Sequence, residues 1–246
     1  MAVINYNYSG LGSINSSFDA SWTTTRGRAS GFLVTNPGLS PEIRLQVSVG
    51  RGGTAFAIVR SFVYFDINQF PALGTITAAT LTYNSAGNSG LIFCTVTESV
   101  AFGGGSGGSL ANGDYGSPQF TPALTNTFQW PTAGNSVSVA FNAAGISFLQ
   151  AGGGAGNGLS TFATLQAGND QQNVQPGVAF ATDLQGQIAQ GSANDVSLSI
   201  TYTPAPTLGF SEMNTVAAAN INEINTAASA TIDEVNKVLS KNNQAL

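Results

Sequence analysis

The chain has 246 residues, of which 42% are hydrophobic but only 8% charged, against about a quarter charged in an ordinary soluble protein. Seven basic and twelve acidic residues leave a net charge of −5, which excludes a general attraction to nucleic acid. Histidine is absent, and with it go Ser-His-Asp and Cys-His catalysis, histidine-liganded zinc and a histidine pH switch.

The opening residues, Met-Ala-Val-Ile-Asn-Tyr-Asn-Tyr, hold neither a basic n-region nor an apolar h-region, so no secretory signal is expected. Residues 1–40 read as an N-terminal arm or as the first strands. Ile43, Leu45, Val47 and Val49 alternate with Arg44, Gln46 and Ser48, the pattern of a half-buried strand. Residues 54–66 are apolar on both faces over most of their length, which predicts a central strand. The same stretch holds the longest apolar run, and Arg60 and Ser61 break it far short of a membrane span. Pro71 and Gly74 then turn the chain into Thr75–Tyr83, followed by Leu91–Thr97. Within the latter, Ile92, Cys94 and Val96 share one strand face. The single cysteine has no internal disulfide partner and no cationic neighbour in sequence, so it reads as a small buried hydrophobe.

Further strands are expected at Val137–Phe141, Leu159–Leu165, Val178–Thr182 and Val196–Thr203, the last with Val196, Leu198, Ile200 and Tyr202 on one face. Gly103–Gly108 and Ala151–Gly158 are low-complexity and read as draped loops. Neither is followed by the Lys-Ser or Lys-Thr of a phosphate loop. Many short strands with turn-rich connections predict an all-β sandwich over 41–203. Pro204-Ala205-Pro206 reads as a linker, because each proline pushes the preceding residue out of helical geometry.

Beyond the linker, over 207–246, Met213, Ala217, Ile221, Ile224, Ala228, Ile232, Val235 and Leu239 are spaced by three or four residues. The pattern repeats every eleven, with 219–229 aligning on 230–240 without a gap, and such a repeat keeps one apolar stripe nearly straight along a helix. An isolated helix of this length, rich in Asn, is marginal in water. The stripe therefore needs a partner, and a docking or oligomerisation tail is expected.

Among chemistry-bearing residues, the carboxylates sit mostly at strand ends and in loops. Asp66 ends the most apolar strand and is expected to close a turn through its own backbone. All five arginines, Arg26, Arg28, Arg44, Arg51 and Arg60, fall in one window where Glu42 is the single acid. Two readings stand: a contact for an acidic partner or an anionic glycan, or strand-face residues paired with scattered acids. Trp22, Tyr115, Phe128 and Trp130 lie outside the clear strands, and Trp22, Tyr115 and Trp130 are the candidates for sugar stacking, with core or rim packing as their other role. Asn112-Gly113-Asp114 and Asn169-Asp170 lack the alternating oxygen ligands of a recognised calcium loop. No cofactor, metal or catalytic residue is assigned.

Residues 60–66 (Arg-Ser-Phe-Val-Tyr-Phe-Asp), followed by 69–81 (Gln-Phe-Pro-Ala-Leu-Gly-Thr-Ile-Thr-Ala-Ala-Thr-Leu), resemble the signature of DNRLRE-type β-sandwich domains. Residues 139–149 are similar to that family's short helical segment, Asn157-Gly158-Leu159 to the strand start after it, and 192–203 to its closing strand. The resemblance implies a jelly-roll sandwich related to carbohydrate-binding modules, of a kind found in surface proteins and in tailed-phage structural proteins. It implies no family-wide catalytic residues. Asn-Ile-Asn-Glu-Ile-Asn and Thr-Ile-Asp-Glu-Val-Asn in the tail are similar to the short Ile/Val-Asn repeats that end many phage virion proteins. The expectation is a non-enzymatic virion structural protein, of capsid decoration, collar or tail-fibre type. It would assemble in the host cytoplasm with other virion proteins and as a homo-oligomer, a trimer by analogy, without nucleic acid or membrane. The alternative is a carbohydrate-binding module holding surface glycans.

Overall fold

The computed structural model describes residues 1–33, 41–50, 53–71, 74–105, 108–152, 158–178, 181–192 and 195–204. The chain divides into two compact units, Met1–Ala205 and Pro206–Leu246, and the described residues belong to the first. All eight residues of the predicted tail stripe, from Met213 to Leu239, lie outside the described residues.

The first unit is an all-β sandwich in which every strand pairing among the described residues is antiparallel. One sheet takes β1 (Ala2–Asn7), β13 (Val196–Thr203), the first part of β6 (Thr75–Ser89) and β10 (Ser136–Ala140), in that order. The other runs β12 (Thr182–Ile188), β4 (Glu42–Gly50), β5 (Gly53–Asp66), β11 (Leu159–Gln166), β7 (Phe93–Ser99) and β8 (Pro118–Ala123). Three further strands extend it: β2 (Gly10–Asn15) pairs with β5, β3 (Phe32–Leu33) with β2, and β9 (Phe128–Gln129) with β7. The long β6 bends from one sheet into the other, its last residues pairing with β12 next to a register shift at Gln187/Ile188. Residues 1–33 thus supply integral strands rather than a free arm. Register fixes which face each residue takes, since a one-residue slip would turn every side chain over.

The apolar alternation explains the core. Tyr6, Ile76, Leu81, Tyr83, Val196, Leu198 and Ile200 from the first sheet meet Val63, Phe65, Cys94, Val96 and Phe162 from the second. Tyr83 spans the layer, and its hydroxyl lies 2.7 Å from that of Thr164 on β11. Strand β5 is apolar on both faces because both are covered. Val63 and Phe65 face the sandwich core, while Phe56, Ile58 and Phe62 lie under short connections. Those connections are α1 (Trp22–Arg26), α2 (Ala101–Gly105) and a 3-10 turn at Asn112–Gly116.

Two expectations need correction. Gly103–Gly108 is not wholly a draped loop, because α2 takes its first part. That turn, Ala101–Gly105, holds Phe102 and Gly103 at φ of 60° and 74°. A left-handed phenylalanine is costly, and what holds it is burial: its ring packs 4.8 Å from Tyr64, its N–H donates to Asp114, and its carbonyl accepts from Gly108. The strand expected at Val178–Thr182 begins only at Thr182. Val178 is exposed, and residues 179–180 lie outside the described residues.

The helix α3 (Ala143–Gln150) follows β10. Asn142 caps it by accepting from the Gly145 N–H. Alanine normally favours a helix over glycine by about 1 kcal/mol. At Gly145 a Cβ would stand 2.5 Å from the Leu124 carbonyl oxygen. Gly145→Ala is therefore expected to destabilise the sandwich, by about 1–3 kcal/mol, read as a lowered urea midpoint at unchanged slope.

Candidate functional site

The two sheets divide the surface chemistry between them. On the outer face of β1, β13, β6 and β10, cross-strand rows run Val3–Thr201–Ala78, Asn5–Ser199–Thr80–Ala140 and Asn7–Ser197–Thr82–Ser138, with Asn84 beside Ser136. No charged side chain occurs in β1, β13, β10 or the paired stretch 75–84 of β6. The hydroxyls partly satisfy one another: Thr82 Oγ1 lies 2.9 Å from Ser138 Oγ, and Thr77 donates to the Thr201 carbonyl at 3.2 Å. This is a neutral carpet of hydroxyl and amide groups. Alternation places it there, since the same four strands turn their branched and aromatic residues inward.

The charges gather on the other sheet and its covering turns. Arg60 and Asp170 form a fully buried bidentate pair, with Nε to Oδ2 at 2.8 Å and Nη2 to Oδ1 at 2.7 Å. Two further donors of Arg60 reach the carbonyls of Tyr115 at 2.8 Å and Arg26 at 2.9 Å, and its guanidinium stacks 4.1 Å from the centre of the Tyr115 ring. Burial is the largest single influence and would lower the Arg60 pKa, but Asp170 and Tyr115 together raise it by more, so the group stays charged. Beside the pair, Arg26 stacks over Phe120 at 3.9 Å and donates to the Asp170 carbonyl at 2.5 Å. Arg28 pairs with Asp19 at 2.9 Å, and Arg44 grips Asp183 with two hydrogen bonds of 2.7 and 2.5 Å, which raise the Arg44 pKa. Next to Arg44, Gln185 donates to the Glu42 carboxylate.

The arginine window therefore resolves into structural pairs. Asp170 and Asp183 stand more than a hundred positions downstream of Arg60 and Arg44, and they are the scattered acids of the second reading. Arg51 lies outside the described residues. Asp66 closes its turn as expected from its type, accepting from the Asn68 N–H at 3.0 Å. The calcium candidates are engaged otherwise: Asp114 accepts from the N–H groups of Phe102 and Ala111, and Asp170 holds Arg60. Among the described residues no three metal-binding side chains gather, and no helix is long and apolar enough to cross a membrane.

The stacking candidates are corrected by burial. Trp22, Tyr115 and Trp130 are 5%, 0% and 1% exposed, so none offers a ring face to a sugar. Trp22 packs edge-on to Phe56 beneath α1, and Tyr115 lies under Arg60 with its hydroxyl donating to the Thr25 carbonyl. Trp130 packs on Tyr83 and donates to Ser85, over Gly186 of β12, where a Cβ would meet its ring at 2.7 Å. Among the described residues the exposed rings are instead Phe18, Phe32 and Phe93, which strand patterning alone did not single out. Cys94 is fully buried, and burial pushes its thiol pKa far up, leaving it inert.

No family model matches the chain, and no curated protein matches it.

Proposed function

We propose that the protein is a virion structural component, of capsid decoration, collar or tail-fibre type, whose sandwich is displayed and whose segment after Pro206 docks it to other copies or to a neighbouring virion protein. The observation that carries this reading is the eleven-residue apolar repeat of 219–240, which needs a partner to bury it. The sandwich closes a core of its own, which suits a displayed module that does not need the tail for its fold. The neutral outer face also supports the reading, because copies crowded on a shell or fibre would meet there without repulsion between like charges.

The carbohydrate-binding alternative loses its main support with the burial of Trp22, Tyr115 and Trp130. A chain ending at Pro206 is expected to sediment as a smaller species than the full chain and to lose incorporation into particles, with the circular dichroism of the sandwich retained. Unchanged sedimentation and incorporation would remove the proposal.

A further inference from the structure

We infer that β1 is a homotypic docking edge, at which a second copy of this chain adds its own β1 to make one continuous sheet across two sandwiches. Among the described residues β1 pairs only with β13. The Tyr8 N–H donates to the Val196 carbonyl, which sets the alternation of the ladder. Ala2, Ile4 and Tyr6 share the inward-bonding phase of Tyr8, so the amides and carbonyls of Val3, Asn5 and Asn7 point away from β13. Exposed rows of this kind recruit other strands unless they are blunted by charge, proline, a bulge or shortness.

Two of the other outlying strands carry such protection: β8 holds Pro118 and Pro122, and β9 has two residues; β10 is one residue shorter than β1. Strand β1 has six residues, Ala-Val-Ile-Asn-Tyr-Asn, with no charge, no proline and no register shift against β13. Met1 and Val3 beside it are 93% and 58% exposed.

The occupant is a second copy because the edge is complementary to itself. A two-fold axis through Asn5 sets Asn5 against Asn5 of the second copy and Val3 against Asn7, all in the outward-bonding phase, so each facing pair closes two backbone hydrogen bonds. The same register sets Ile4 against Tyr6 on the inner side, extending the apolar row, and it joins the two neutral outer faces into one. No like charges meet, despite the net charge of −5. The interface belongs to the sandwich and is independent of the tail.

Two variants of the full chain test this. Asn5→Lys puts two ammonium groups face to face at the axis while leaving the bonds to β13 intact. It is expected to halve the assembly mass measured by light scattering, with unchanged circular dichroism. Asn5→Cys is expected to cross-link between chains with a short bismaleimide far faster than Ser136→Cys on the β10 edge, the buried Cys94 remaining silent. An assembly mass that Asn5→Lys leaves unaltered, or equal cross-linking at the two edges, overturns the inference. Either result leaves the tail proposal standing, since that is read from the truncated chain.

Discussion

Replacing Arg60 by methionine is expected to cost about 3–5 kcal/mol of unfolding free energy, a large share of the roughly 5–15 kcal/mol that holds an ordinary domain together. The substitution leaves the Asp170 carboxylate, with no solvent exposure, only the longer pair to Arg26 Nε at 3.8 Å, and takes from the Tyr115 and Arg26 carbonyls the donors that Arg60 supplied. The loss is not confined to one bond, because the guanidinium ties β5 to three separate segments of the covering layer. Adding Asp170→Leu to the same chain removes the stranded charge, and part of the stability is expected to return, since apolar replacements of a buried pair are often close to neutral. Urea unfolding followed by the fluorescence of Trp22 and Trp130, both buried, reads the change directly. A single variant within about 1 kcal/mol of the parent, below the cost of an orphaned buried charge, would show that Arg26 or water compensates Asp170 without Arg60.

Alkali is the second strong lever. Tyr83 and Tyr115 are held protonated well above the ordinary tyrosine value of 10.0, and Cys94 above 9.0, in each case first because burial penalises the charged form. In the unfolded chain these groups lose their protons near the ordinary values. Raised folded pKa values therefore mean that stability is complete below about pH 9 and falls as pH rises, by about 1.4 kcal/mol per pH unit for each group. Above pH 10 the three together give a slope of about 4 kcal/mol per unit. The sandwich is expected to unfold cooperatively in alkali, with tyrosine absorbance rising in step with the loss of circular dichroism. Tyr83→Phe should flatten the slope by one group while costing the bond to Thr164, about 1 kcal/mol. Urea midpoints that do not move between pH 9 and 11 would contradict the assignment. Between pH 6 and 8 stability should be flat, because the chain has no histidine.

The strands that declare themselves in sequence are those with one face wet and one dry, or both dry: 43–49, 54–66 and 196–203 correspond to β4, β5 and β13. Strand β12 gives no such signal. Its residues, Thr-Asp-Leu-Gln-Gly-Gln-Ile, form a corner strand that pairs β4 on one side and the end of β6 on the other. Gly186 is there to admit the Trp130 ring, not to fill a core. The apolar run just before it, at Val178, was the stronger pattern and the wrong one. Of the two readings of the arginines, pairing with scattered acids holds for Arg28, Arg44 and Arg60, although a count of charge along the window does not show which acids the fold brings to them. Burial of the aromatic candidates was equally hidden, because whether a ring in a loop faces out or in depends on which strand the loop crosses. The neutral face, by contrast, was written plainly in the alternate Ser, Thr and Asn positions of β13, β6 and β10, and became legible once the register set them side by side.

The carpet of hydroxyls and amides has a consequence for where such a molecule could work. Contacts between groups without net charge are not weakened by the counterions that screen ion pairs, and Arg28, Arg44 and Arg60 are already engaged away from that face. Whatever rests on that surface should hold as firmly in brine as in fresh water. A particle clad with it would keep the same coat through a change of salinity that loosens a coat assembled by opposite charges.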